Sequence, residues 1–464
     1  MSLPDDRRLL ESALEWTISY LQSVRAHPVL SKVGPGEVTE ALPDRAPAEP
    51  EAFASILEDL DRIVVPGITH WNHPRFFGYF ATSAAAPGIA AELIAAAINA
   101  NAMLWRTSPA ATELEQVVCG WLAEAAGLGR LFGFITDTAS TSTLYSLVAA
   151  RHAAAPEVKA AGLGSAPPMA VYCSREAHSS VDKAVAAIGL GLDNLRKIPV
   201  DDELRMDPDA LAAAVDEDVS NGVRPAAVVA TVGTTASTSV DPVRPIAEVC
   251  RRHGMWLHID AAYAGAAALV PEFRWIFDGA EHADSIVVNP HKWLFVPVDC
   301  SVLFLRDPAR MREAFSVVPE YLATAEPADN LMDFGISLGR RFRALKLWFT
   351  IQSMGLEGIA EAIREHVRLA SLLDGWVAAE DDFELLCATR FSVVNFRYAP
   401  HGLDESQLDE INRALAAKVN ATGEVFVTNA VIGGRLAIHV AIGNLGTTEA
   451  DVRALWDLVR TQAR

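Results

Sequence analysis

The spacing of apolar positions changes character along the chain. Residues 5–26 carry Leu10, Leu14, Ile18 and Leu21 at helical spacing, with Leu9, Trp16 and Tyr20 beside that stripe, which predicts an amphipathic helix. A stretch rich in Pro and Gly follows over 33–50, and a second helix is expected near 51–63. This opening arm, 1–83, is too small to bury a core of its own and is expected to pack on a partner subunit.

From 84 to 360 strand-like and helix-like runs alternate, the signature of an α/β domain with a mostly parallel sheet. The clearest unit is AAVVATVG (226–233), then a helix over 243–253, Gly254 as its C-terminal cap, and the strand MWLHID. SIVVN and SVLFL (301–305) read as further strands. Helices over 343–354 and 356–374 lead into a different pattern, with strands at 383–386, 391–398, 425–427 and 435–440 and helices near 405–419 and 448–460. Residues 361–464 therefore read as a smaller α+β domain.

Composition narrows the class. At 464 residues the chain exceeds what one core supports. A hydrophobic fraction of 51% against 21% charged residues marks a packed globular protein. The formal net charge of −20 opposes binding to nucleic acid or to an anionic membrane. The longest apolar stretch, 84–100, contains Pro87, Glu92 and Asn99 and reads as a buried helix, not a membrane span. The N-terminus, MSLPDDRRLLESALEW, lacks the apolar core of a signal peptide. Cys119, Cys173, Cys250, Cys300 and Cys387 are scattered without a CxxC pair, as expected of reduced thiols in a cytoplasmic protein.

Candidate chemistry begins with SIVVNPHKWLFVPV (285–298), where Lys292 is the one lysine in an apolar run. A lysine in such surroundings loses its proton readily or finds a partner, and the neutral amine attacks carbonyls. WLHIDAAYAGAAALV (256–270) places a single acid, Asp260, in similar company at the end of the preceding strand. Ligands of parallel sheets gather at such strand ends, and a buried carboxylate can hold a proton on a pyridine nitrogen. The pair points to pyridoxal phosphate. TDTASTST (136–143) supplies hydroxyls and amides at a helix start, a setting for a phosphate as well as for an ordinary cap. His178, in REAHSSVDKA, is a candidate for stacking on a planar ring or for acid/base work. HPRFFGYFATS (73–83), with Trp71 just before it, concentrates aromatics and is a candidate substrate wall.

Other patterns lead nowhere. The SxxK match at Ser180–Lys183 has no SDN or KTG companion. Paired glycines at 162/164 and 189/191 lack the third glycine of a dinucleotide fingerprint. His253 and His258 have no acid or cysteine at ligand spacing, so no metal is expected.

Taken together, HPRFFGYF, SPAATELE (108–115), AHSSVDKA (177–184), VATVGTT (229–235), WLHIDAAYAG (256–265), NPHKWL (289–294) and LGRRFRALKLWF (338–349) resemble the group II pyridoxal-phosphate decarboxylases, in particular those acting on aromatic L-amino acids. The resemblance implies a fold-type-I, aminotransferase-like homodimer with active sites shared between subunits. It makes Lys292 the covalent anchor of the cofactor, Asp260 the partner of the pyridine nitrogen, and His178 the ring-stacking residue. Ala139, Ser140, Asn289 and His291 would surround the phosphate, with Thr235 and Ala262 against the ring. The family's catalytic loop corresponds to VPEYLATAEPADNLMDFGI (318–336), whose Tyr321 would reach the partner's site and protonate Cα. Trp71, Tyr79, Phe80 and Thr82 match aromatic-substrate positions. Ala81 stands where animal members carry proline, and Asn101 and Met103 stand where they carry isoleucine and phenylalanine, which leaves the preferred substrate open. Related aldehyde synthases commonly replace the loop tyrosine or the histidine, so His178 with Tyr321 favours plain decarboxylation. Glutamate or diaminobutyrate decarboxylation and a cofactor-binding regulatory role are the alternatives.

Overall fold

The computed structural model describes residues 3–80, 82–317 and 328–464. Its first sheet is seven-stranded: β1 (Phe132–Thr136), β2 (Met169–Ser174), β3 (Leu195–Ile198), β4 (Arg224–Thr231), β5 (Trp256–Asp260), β6 (Ser285–Val288) and β7 (Ser301–Leu305). The order is β1-β7-β6-β5-β4-β2-β3. Only β7 runs against its neighbours, so the two reversals around it return β1 to the direction of β6. The sequence pattern anticipated this mostly parallel sheet, because strands covered on both faces read as continuous apolar runs.

Helices cover the sheet. The sequence fixes their ends by local chemistry. Helix α1 (Leu3–Ser23) opens the chain, and α2 (Ala86–Ile98) has proline in its first turn and a left-handed Asn99 after its last. Helix α3 (Ala139–Ala154) follows β1 and is capped by the Thr138 side chain. Helix α4 (Val243–His253) ends on Gly254, whose φ of 66° suits a residue without Cβ. A one-turn helix, α5 (Pro290–Trp293), follows β6.

Helix α6 (Ala344–Ala378) joins this layer to the second and breaks at Gly355, the point where the apolar pattern also divides. The second sheet is antiparallel, β10-β11-β9-β8, from β8 (Phe383–Leu385), β9 (Val393–Tyr398), β10 (Thr428–Ile432) and β11 (Arg435–Ala441). It carries α7 (Glu405–Ala421) and α8 (Glu449–Ala463). The strand expected at 425–427 begins instead at Thr428, and Phe426 makes only an isolated parallel bridge to Phe76.

That bridge belongs to a seam that the sequence pattern did not reveal. Phe77 donates its amide to Phe426 and accepts from Ala441, so the HPRFFGYF segment is laid along the C-terminal sheet. Arg25 and Arg75 both bond the buried carboxylate of Asp451 in α8. The later part of the arm thus packs on its own chain. Helix α1 keeps Leu10, Leu14 and Ile18 54%, 50% and 46% exposed, an apolar stripe left for another surface.

Candidate active site

The carboxyl ends of the parallel strands and of β1 converge on one edge of the large sheet. Asp260 is the last residue of β5, Asn289 follows β6 as the cap of α5, and Lys292 lies in that single turn. His178 follows β2, Thr235 follows β4, and Ala139 and Ser140 open α3 after β1. Asp260 and Ala262 are buried beside one another, the Ala262 amide donating to one carboxylate oxygen at 3.1 Å.

Lys292 points its Nζ at the face of Phe80, 4.6 Å from the ring centroid. Desolvation lowers its pKa, and the neighbouring Asp260 charge opposes that effect only in part. The amine is therefore biased toward its nucleophilic form. Phe80 caps a buried aromatic column, stacking 4.1 Å from Tyr263, which stacks 4.8 Å from Trp293. Trp293 donates to His366, and the Tyr263 hydroxyl pairs with Ser392 at 2.6 Å. The wall beside Lys292 is thus anchored in both layers of the fold.

The residues expected around the phosphate offer neutral donors. His291 is buried, and desolvation pushes its pKa down to about 4. Its Nδ1 accepts the Cys300 amide at 2.9 Å, so the proton of the neutral ring is on Nε2, available as a donor. The first amides of α3, at Ala139 and Ser140, have no partners within a helix and favour an anion. Buried oxygens of Asn289 and Thr231 at the strand ends have no hydrogen-bond partner among the described residues. Orphaned polar atoms of this kind are costly unless a ligand completes them. The donor set, the orphaned oxygens and the lysine–aspartate pair fit pyridoxal phosphate.

His178 sits on the exposed rim and is held by Ser180, whose amide and hydroxyl both approach Nδ1. Desolvation lowers its pKa, with Asp260 opposing. Thr235 is exposed at the same rim. Trp71 and Tyr79 stack on one another at 5.6 Å, beside Phe80 in the chain, and Thr82 is half-buried. Asn101 and Met103 behave differently. Their contacts run to the end of the loop and just beyond it, the Met103 carbonyl accepting the Met332 amide and Asn101 accepting that of Arg340. Tyr321 and Ala81 lie outside the described residues. His258 is fully buried on Ser285 and Thr143, and among the described residues no cluster of metal-ligating side chains occurs.

Sequence reasoning overlooked the residues that hold this wall from the second sheet, His439 and Asn395. His439 interrupts the apolar run of β11, the one signal that could have singled it out.

Residues 35–399 match the model of the pyridoxal-dependent decarboxylase conserved domain, and the chain belongs to that family of pyridoxal-phosphate-dependent amino-acid decarboxylases. It is 38% identical to tyrosine decarboxylase 3 of Petroselinum crispum over 98% of this chain and 91% of that protein. It is 35% identical to phenylacetaldehyde synthase of a Rosa hybrid cultivar over 97% of this chain and 92% of that protein. The solved structure of Oryza sativa TDC with PLP and tryptamine superposes with a TM-score of 0.96 at 36% identity, covering 100% of this chain and 98% of that one. Among the described residues no helix is long and apolar enough to cross a membrane.

Proposed function

We propose that this enzyme removes the carboxylate of aromatic L-amino acids to give the amine and carbon dioxide. The observation that carries the reading is Lys292 facing Phe80 at the head of an aromatic column, with Asp260 beside it. That arrangement offers an aromatic surface next to the amine.

When bound, pyridoxal phosphate supplies the electron sink for the bonding pair left as carbon dioxide departs. The chain's residues do the rest. Lys292 is the covalent attachment point, and its depressed pKa lets it shed and regain a proton at Nζ. Asp260 holds a proton at the pyridine nitrogen, His178 covers the ring face with Thr235 and Ala262 against it, and Asn289, His291 and the amides of Ala139 and Ser140 hold the phosphate. Trp71, Tyr79, Phe80 and Thr82 orient the aromatic side chain. Tyr321 donates the proton to Cα.

The working form is a cytoplasmic homodimer with shared sites. The exposed stripe Leu10, Leu14 and Ile18 supports the second copy. Met103, tied to Met332 at the end of the Tyr321 loop, and Asn101, tied to Arg340 just after it, would act together with that loop. The chain divides into an arm (1–83), a cofactor domain (84–360) and a small domain (361–464). The test is amine release by the purified protein across phenylalanine, tyrosine, tryptophan, dopa, histidine and glutamate. Turnover of aromatics supports the reading. Turnover confined to glutamate or histidine overturns it.

A further inference from the structure

His439, in the middle of β11, is buried and faces oxygen on both sides. Its Nε2 lies 2.8 Å from the carbonyl of Tyr79, and its Nδ1 lies 2.9 Å from Asn395 Oδ1. The Asn395 amide cannot be turned round, because its Nδ2 donates to the Ala236 carbonyl at 2.8 Å and a flip would set two acceptors against each other. A neutral imidazole has one N–H and can serve only one of these oxygens. The imidazolium serves both.

The groups at the two ends of this chain matter. Tyr79 has a left-handed backbone (φ 53°), and its amide is held by Thr428 Oγ1 at 3.1 Å. The small sheet therefore grips both polar backbone groups of the residue that precedes Phe80. Ala236 follows Thr235, at the rim of the cofactor site. The titratable groups around His439 are few. Cys387 Sγ lies 3.6 Å from Asn395 Nδ2, with Arg390 and Glu176 acting on that thiol. On the other side the Phe80 ring meets the imidazole edge-on, with Lys292 beyond it and Asp260 acting on that amine.

We infer that His439 is a positioning residue that ties the aromatic wall at Tyr79–Phe80 and the Thr235–Ala236 turn to the small sheet, and that the tie is complete only while its ring is protonated. The inference rests on reading Tyr79–Phe80 as the substrate wall. Burial disfavours the protonated ring, so the tie loosens as pH rises through the His439 titration and tightens as pH falls.

The experiment measures kcat and KM for the best aromatic substrate from about pH 8 down past the ordinary imidazole value of about 6.5, to the lowest pH at which the protein stays folded, alongside Trp71 fluorescence of the cofactor-free protein, taken as the difference from Trp71→Phe. Trp71 stacks on Tyr79 and so reports the wall without catalysis. In the wild type the Trp71 signal titrates and KM rises with pH. His439→Leu raises KM about tenfold with kcat within about twofold, a loss on the scale of one or two hydrogen bonds, and abolishes both pH responses. His439→Gln, which keeps a donor without a titration, restores KM and leaves it flat with pH. Asn395→Asp places a carboxylate on the ring and moves both responses to higher pH. If Phe80→Leu raises KM while the His439 and Asn395 variants leave KM and both pH responses unmoved, the tie is overturned and the wall stands. If Phe80→Leu leaves KM unchanged, the wall reading falls and the inference falls with it.

Discussion

The amine of Lys292 lies over the face of Phe80, 4.6 Å from its centroid. A ring face attracts a cation weakly but excludes water strongly, so the same contact that tolerates the charged amine also lowers its pKa. Lys292→Ala removes the nucleophile. The variant is expected to show no turnover and none of the visible absorbance of lysine-bound cofactor, both read on the purified protein. Normal turnover by it would refute the assignment of the anchor.

Asp260 acts on the lysine and, in the proposed mechanism, on the cofactor. Its charge raises the Lys292 pKa against desolvation, so Asp260→Asn should shift the pH titration of the bound cofactor's absorbance to lower pH. The loss of a preorganised charge should also reduce kcat by about 100-fold or more. An unchanged titration would place Asp260 outside the site's electrostatics.

Replacing the loop tyrosine tests product chemistry. Tyr321→Phe is expected to divert part of the flux from amine toward aldehyde, ammonia and peroxide, measured by quantifying aldehyde and peroxide beside amine. Unaltered amine yield would remove Tyr321 as the Cα proton donor.

The neutral phosphate cup predicts a binding defect without loss of fold. His291→Phe deletes the Nε2–H donor, and cofactor affinity should fall about tenfold, equivalent to about 1.4 kcal/mol. Equilibrium dialysis of the cofactor, with the melting temperature of the cofactor-free protein as control, separates the two.

Asp451 gives a stability prediction with a definite sign. Burial would raise its pKa, but hydrogen bonds from Arg25, Arg75 and Thr448 hold it well below the usual carboxylate range. Its contribution is present above the unfolded value of about 3.9 and is lost as pH falls below it. Asp451→Asn should cost roughly 2 kcal/mol near neutral pH, for charged hydrogen bonds whose arginines stay partly solvated. The difference from wild type should shrink below about pH 4. A constant difference down to pH 2 would contradict the ion-pair origin.

Local patterns carried most of the large sheet and the heart of the site. Lys292 and Asp260 stood out because single charges in apolar runs need a reason. Gly254 announced a helix end through its freedom at positive φ, and the helices expected over 343–354 and 356–374 meet at Gly355, where α6 breaks. His439 and Asn395 were not legible, because their roles depend on Tyr79 and Ala236, which lie 360 and 159 residues away in the chain. The same holds for the placing of 73–80 along the small sheet, since the partners of an isolated bridge leave no periodic trace. Phe80 was legible as an aromatic, whereas its column through Tyr263 and Trp293 was a property of packing.

The bonding of Phe77 to Phe426 and Ala441, together with the Arg25 and Arg75 grip on Asp451, sets an order of events during translation. The proposed substrate wall is made early, but the strand and helix that seat it leave the ribosome only after the whole large sheet. Until then the aromatic segment has no template, and the cofactor cleft stands without its lateral wall. A shortened transcript or a C-terminal proteolytic nick would therefore strike substrate recognition while leaving Lys292 and Asp260 on an intact sheet.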